Sequence, residues 1–317
     1  MVKVSIIIPT RNRSTYLERA ISHAFAQNYP NLEVVVSNNA SIDDTAQVLN
    51  DLKIKYPQLI IVQHDELLSL NRHWDKVIKE VSEGEIILLI PDDDVIVDVN
   101  YISNAVALFS KYPTVGLVFA NYYYVNKEFS RINKIEAEFE EFIPKEYLFE
   151  NYNKDLFGIQ GVGVSHCTAL FLRQAYRETN GFDLDCMSPD TYLWLKILLS
   201  YDAAFIKEKV SEYLIHDGNL STNATIKQRY SETLIAPKIE QYARNHMKNE
   251  PFVQNTINRI DKIFYRRFQY IFLLNLIDFK LEIKYIKYIR PISLFKMIAN
   301  GIYNRFMRLP RNLFKLS

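Results

Sequence analysis

Four times before residue 112, a short run of β-branched and aliphatic residues gives way to a polar stretch and then to apolar residues at helical spacing. The first run, 3–8 (KVSIII), reads as a buried strand that Pro9 ends, because proline has no N–H to give to a ladder. Thr15 and Glu18 are spaced as a capping box, and Leu17, Ile21, Ala24 and Phe25 then share one helical face. After the breaker NYPN comes a second strand, 32–37 (LEVVVS); Ser41 and Asp44 open a helix with Val48, Leu49 and Leu52 on its apolar face. The third strand is 59–64 (LIIVQH), followed by a helix through Trp74, Val77, Ile78 and Val81. The fourth is 85–90 (EIILLI), just past Gly84, with a helix over 98–111 behind it. This alternation predicts an α/β fold with a mostly parallel, doubly wound sheet covered on both faces. Such sheets bind ligands beyond the carboxyl ends of their strands. Three polar groups fall at those ends and are expected to meet there: 10–13, 37–41 and 92–94.

Farther on, GLVFANYYYV (116–125) reads as another strand, and 126–157 as polar, aromatic and irregular. Gly158, Gly161 and Gly163 mark a flexible or tightly turned loop before CTALFLR. Ser188-Pro189-Asp190 starts a helix carrying Leu193, Trp194, Ile197 and Leu198, with Ser188 suited to the N-cap and Pro189 to the first helical position. Residues 203–216 fit one or two strands. From 221 on, Phe, Tyr, Ile and Leu interleave with Lys and Arg in a helical pattern, which predicts two regions, 1–220 and 221–317.

Charge divides the chain in a similar place. From Arg259 onward there are 13 Lys or Arg against 3 Asp or Glu, a local charge of +10 that leaves 25 basic and 34 acidic residues, or −9, before it. A basic tail on a mildly acidic body fits a polyanionic surface as partner, and fits equally a solvated helical face. The two cysteines, Cys167 and Cys186, have neither metal-site spacing nor a disulfide framework. No signal-peptide pattern opens the sequence, and no window of 18 residues is apolar and uncharged. The expected location is cytoplasmic.

Three segments could carry chemistry. Asp92, Asp93 and Asp94 follow an apolar strand directly, and such neighbours repel unless a cation sits among them. Either a divalent, oxygen-ligated metal or a plain polar turn accounts for them. Asp190, at a helix start, stays ionised in the field of the helix and is able to act as a general base, or is simply a helix-start residue. His216, between a strand and Gly218, serves as metal ligand, phosphate contact or backbone partner.

The order of these segments resembles the inverting glycosyltransferases of family 2, which have the GT-A (nucleotide-diphospho-sugar transferase) fold. Residues 5–45 (SIIIPTRNRSTYLERAISHAFAQNYPNLEVVVSNNASIDDT) match the N-terminal signature, 83–94 (EGEIILLIPDDD) resemble the metal-binding segment, 181–197 (GFDLDCMSPDTYLWLKI) the acceptor-side segment, and 214–221 (LIHDGNLS) the closing histidine loop. The likeness runs over roughly 3–221. It implies that Pro9, Thr10 and Arg13 border the nucleotide, with the main chain at Pro9 and Thr10 lining base and ribose. Asn39 would meet a pyrimidine ring, although the family usually carries a carboxylate pair where this chain has Asn38 and Asn39. Asp94 would be the main ligand of Mn²⁺ or Mg²⁺, with Asp92 on ribose, on a water or as a further ligand, Asp93 facing the donor sugar, and His216 completing the metal or diphosphate site. Asp190 matches the base, with Pro189 where many relatives have an acid. The loops 65–72 and 158–166 are candidates for closing over the donor, and His166 for touching the acceptor.

The resemblance thus implies a nucleotide-sugar donor, a UDP-sugar by preference, a saccharide or polyprenyl-linked acceptor, and a role in polysaccharide or lipopolysaccharide synthesis. The tail 261–298, aromatic and basic, would then lie on an anionic membrane as a peripheral contact on the inner face, or pack on the catalytic domain, or form a homo-oligomer. Nucleic acid fits the charge but finds no recognition motif. Two other readings stay open: a sugar-1-phosphate nucleotidyltransferase, for which PTRNRS is a poor phosphate loop, and a nucleotide-binding scaffold without turnover.

Overall fold

The computed structural model describes residues 1–150, 164–219, 224, 225, 228 and 231–246. All of these fall in the first of the two units into which the chain divides, Met1–Arg259. The glycines at 158, 161 and 163 and the basic tail beyond 246 lie outside the described residues.

The predicted alternation is present. Strand β1 (Val4–Thr10) leads to α1 (Ser14–Phe25), β2 (Leu32–Asn39) to α2 (Thr45–Lys55), β3 (Ile60–His64) to α3 (Leu70–Glu80), and β4 (Ile86–Leu89) through β5 (Val95–Ile96) to α4 (Tyr101–Lys111). Then come β6 (Val115–Val125), β7 (Arg131–Ile135), β8 (Phe142–Ile143), α5 (Lys145–Glu150), β9 (Leu170–Leu172) and α6 (Arg173–Glu178). Next are α7 (Pro189–Ser200) and β10 (Asp202–Leu214), and a 3₁₀ turn at Glu232–Leu234 opens α8 (Ile235–His246).

The strands form one sheet in the order β3-β2-β1-β4-β9-β6-β10-β5, with β7 on β6 and β8 on β10. Pairings β1–β2, β2–β3, β1–β4 and β6–β10 are parallel, while β9 runs antiparallel between β4 and β6. Every residue of β1 is buried and so is every residue of β4, as a parallel sheet covered on both faces requires. The strand order reverses between β1 and β4, and the site lies at that point.

Three local expectations are corrected. Pro9 lies within β1, opposite Ser37, rather than ending it. Main-chain groups alternate sides along a strand; Ile7 faces β4, where its carbonyl accepts Ile90 N–H, so the missing N–H of Pro9 faces the same side, past the last β4 partner. Thr15 and Glu18 do not cap α1: the cap position is Arg13, and Ser14 Oγ instead donates to Asp44 Oδ1, tying the starts of α1 and α2 together. Within 126–150, two short strands and a helix replace the irregular stretch. Among them, β7 is a mostly exposed strand, so it lacks the apolar alternation that marks a strand in sequence. Residues 203–216 supply one long strand rather than two. Among the described residues, no helix is long and apolar enough to cross a membrane.

Arg173, at the start of α6, locks α3 to the sheet: its guanidinium donates to the carbonyls of Gly84 and Ile78 and to Ser82 Oγ. Gly84 is needed there because a side-chain carbon would overlap the main-chain nitrogen and the hydroxyl of Ser5. Gly84→Ala should therefore lower stability by about 1–3 kcal/mol, the usual cost of overpacking, in a urea denaturation series.

Candidate active site

The carboxyl ends of β1, β2 and β4, the first turns of α3 and α7 and the loop after β10 line a cavity of about 830 Å³. Pro9, Thr10, Arg13, Asn39, Asp92, Asp93, Asp94, His166 and Asp190 all face it. His216 does not line it; it sits behind Asp93, buried.

Three carboxylates form its floor, and all three are buried. Thr10 Oγ1 donates to Asp92 Oδ2 at 2.6 Å. The Arg13 guanidinium pairs with Asp93, lies 3.5 Å from Asp92 and also donates to the Gly218 carbonyl at 2.9 Å. His216 Nδ1 accepts the Gly218 N–H, so Nε2 carries the proton and donates to Asp93 Oδ2 at 2.8 Å. Both ring nitrogens are thereby engaged, and in this arrangement His216 supports Asp93. Asp94 differs: Oδ1 accepts the Leu214 N–H at 2.9 Å, whereas Oδ2 is buried with no hydrogen-bond partner. Burial, reinforced by the neighbouring Asp93, pushes the Asp94 carboxyl well above the usual carboxylate range. The same two causes raise Asp92 to about 7, against the opposing pull of Arg13 and Thr10.

These groups fit a divalent cation. Among the described residues no set of three or more His, Cys, Asp or Glu is placed to hold a metal unaided. Mg²⁺ and Mn²⁺, however, usually take one or two carboxylates and complete their shell with water and substrate phosphate. The unpaired oxygen of Asp94, with Asp92 beside it, is the share such a site asks of the protein.

Asn39 does something that an acid in its place could not. Its Nδ2 donates to the Leu68 carbonyl at 3.0 Å, and its Oδ1 accepts the Leu68 N–H at 2.9 Å. An amide satisfies both; a carboxylate would face the carbonyl without a proton. Asn38 likewise pairs through its amide with Gln63 at 2.7 Å. The departure from the acidic pair therefore clasps the loop before α3, whose Leu67, Leu68 and Ser69 line the cavity.

Asp190 occupies the first turn of α7, half-buried and facing the cavity. His166 lies on the same cavity with its ring 4.7 Å from that of Trp74 and Nε2 buried and unpartnered. Burial lowers its pKa, which keeps the ring neutral near pH 7. His73 and Trp74 also line the cavity, although the sequence marks Trp74 only as core and His73 not at all. Their signal was positional: they begin the helix after β3, on the side where strands end. His73 is buried against Ser37 Oγ at 2.7 Å, and burial lowers its pKa to about 4.

The sequence model of the family described as glycosyl transferase family 2 matches residues 5–179. The chain belongs to glycosyl transferase family 2. It is thus a glycosyltransferase of the EC 2.4 class. It is 25% identical over 227 residues to an uncharacterized glycosyltransferase of Rickettsia typhi, spanning 71% of this chain and 67% of that one. It is 33% identical over 99 residues to the GalNAc(5)-diNAcBac-PP-undecaprenol beta-1,3-glucosyltransferase of Campylobacter jejuni, over only 30% of each chain. Among solved structures, S. aureus TarS 1–349 in complex with UDP-GlcNAc superposes with a TM-score of 0.67 at 16% identity, over 89% of this chain and 77% of that one, which shows the shared GT-A fold. The family match ends before Asp190.

Two outcomes follow for this family member. A carboxyl whose pKa rises on folding loses stability as pH climbs from its unfolded value towards its folded one, and the loss persists above both. Asp94→Asn should therefore melt a few degrees above the wild type at pH 7.5 in chelator, and Mn²⁺ should raise the melting temperature of the wild type only. Asn39→Asp should cost about 1–3 kcal/mol by leaving the Leu68 carbonyl unpaired, with faster amide hydrogen exchange confined to 65–69.

Proposed function

We propose that the protein moves a sugar, with inversion, from a nucleoside-diphosphate donor, a UDP-sugar first of all, to a hydroxyl of a saccharide or polyprenyl-linked acceptor in cell-surface polysaccharide synthesis. The observation that carries this is the pairing, on one cavity, of an unpaired buried carboxylate oxygen at Asp94 with a helix-start carboxylate at Asp190. The UDP-GlcNAc named for TarS and the undecaprenol-linked substrate named for the Campylobacter enzyme support the donor and acceptor classes.

In this reading Pro9 and Thr10 border the nucleoside, and Asn39 shapes that subsite by holding Leu68. Asp94, with Asp92 beside it, holds Mn²⁺ or Mg²⁺, which when bound offsets the charge on the departing diphosphate. Arg13, on the same cavity, borders the nucleotide, and Asp93, kept in place by His216, faces the sugar. Asp190 takes the proton from the acceptor hydroxyl as it attacks the anomeric carbon, and the diphosphate leaves. One base and one displacement give inversion. His166, neutral and unpartnered at Nε2, offers the acceptor a hydrogen bond. The tail 261–298 is assigned the membrane side of the reaction, because its basic and aromatic composition suits an anionic surface carrying a lipid-linked acceptor.

The test is nucleoside diphosphate release across a panel of UDP-, GDP- and dTDP-sugars with Mn²⁺, Mg²⁺ or chelator. One donor should be consumed slowly in metal alone, and neither Asp94→Ala nor Asp190→Asn should consume it at more than about a hundredth of the wild-type rate. Metal-independent release, or full activity in Asp190→Asn, would overturn the reading.

A further inference from the structure

The residue ahead of the candidate base is held in an unexpected way. Ser188 occupies the N-cap of α7, yet its hydroxyl makes no hydrogen bond to the helix. It donates instead to Glu232 Oε1 at 2.6 Å, across 44 positions of sequence. One residue earlier, the Met187 N–H donates to Ser231 Oγ at 2.9 Å, and Ser231 in turn donates to the Gln228 carbonyl. Two consecutive residues of one segment thus grip two consecutive residues of the other, immediately before Pro189 and Asp190. Glu232 is buried, so its carboxylate faces no competition from bulk water for the Ser188 proton.

The grip continues along the helix. From α8, Ile235, Ile239 and Ala243 are completely buried, and the helix packs on α7. Near its far end the Tyr242 ring stands 6.0 Å from Lys196 Nζ. The two helices therefore run in the same direction, with 231–232 at the start of α7 and 242 farther along it. Lys196 is itself buried and donates to the carbonyls of Thr179 and Gly181 and to Asp183, so α7 is also tied to the turn that follows α6. Left alone, the N-terminal turn of a helix that lacks a side-chain cap would fray, and Asp190 would move with it.

We propose that Glu232, with Ser231, is a positioning residue for Asp190: the 231–232 pair clamps Met187–Ser188 and thereby fixes where the candidate base stands in the cavity. This rests on the reading of Asp190 as the base. It gives the C-terminal segment a part in the transfer step, distinct from any contact of the tail with a membrane. Neither partner lies within the stretch that the family model matches.

A double-mutant cycle tests it, using the full chain and the donor that the wild type consumes among UDP-glucose, UDP-N-acetylglucosamine, UDP-galactose and GDP-mannose. Ser188→Ala and Glu232→Met should each lower kcat for nucleoside diphosphate release by about tenfold or more, since small misplacement of a reacting group is enough for that. KM for the donor should stay within about twofold, because ground-state binding does not use the clamp. The double variant should be no slower than either single one. Glu232→Gln, which keeps an acceptor oxygen for Ser188, should recover most of the rate, and Lys238→Ala, on the exposed face of α8, should match the wild type. Hydrogen exchange should quicken in both clamp variants at 187–193 and nowhere in the strands. Additive losses in the cycle, or unchanged exchange at 187–193, would overturn the proposal; the exchange result decides it even where no donor on the panel is consumed. Ser188→Ala keeps the comparison open should Glu232→Met fail to fold. Full turnover in Asp190→Asn would remove the base reading and the clamp with it, whereas loss there beside additive clamp variants would remove the clamp alone.

Discussion

Three adjacent carboxylates are held out of water at the point where the strand order of the sheet reverses. Burial and mutual repulsion favour taking up protons, and they raise Asp92 to about 7 and Asp94 well above the ordinary range. Much of the surrounding architecture answers this. Arg13 comes from the turn after β1, Thr10 from the end of β1, and His216 from the loop after β10; each places a donor on Asp92 or Asp93. Asp94 receives a single main-chain donor, from Leu214, and retains an unpaired oxygen. The cluster is stable enough to exist and incomplete enough to bind, which is the compromise expected where function overrides local stability.

The loop after β10 shows how far that constraint reaches. Leu214 N–H is taken by Asp94, the Leu214 carbonyl by Asn219 Nδ2, and Asn219 Oδ1 by the His216 N–H. The histidine ring is therefore oriented by its own loop, and the loop is anchored to the carboxylate it helps to surround. The end of β10 meets the ends of β1 and β4 through side chains rather than through ladder hydrogen bonds, since β9 and β6 stand between β4 and β10 in the sheet. Polar contacts of this kind depend on a rigid frame, and the fully buried β1 and β4 supply it.

A second frame surrounds Asp190. It stands at the start of a helix buried along nearly its whole length, fixed both by Lys196 and by the segment 231–246. The side of the cavity lined by the three aspartates is thus built largely by the β-α units of the first half of the chain, and the side lined by Asp190 by later elements.

The sequence by itself determined the fold class and the location of the site. Strand and helix periods are local properties, carried by runs such as IILL and by the spacing of Leu17, Ile21 and Ala24, and the strand-end rule then gathered Thr10, Arg13, Asn39 and the three aspartates. It could not determine which polar groups pair across long separations, because hydrogen bonds leave no periodic trace. Thus Pro9 remained in its strand because the neighbouring ladder stops first, Asn39 turned to Leu68, and His216 turned both nitrogens inward. Exposed β7 escaped notice because its pairing is with β6 rather than with a core. The clamp of Ser231 and Glu232 on Met187 and Ser188 was equally hidden, since it uses the main chain of an apolar residue, Met187, and three polar side chains with nothing in their spacing to pair them. Only packing of α8 along α7 brings them within hydrogen-bond reach.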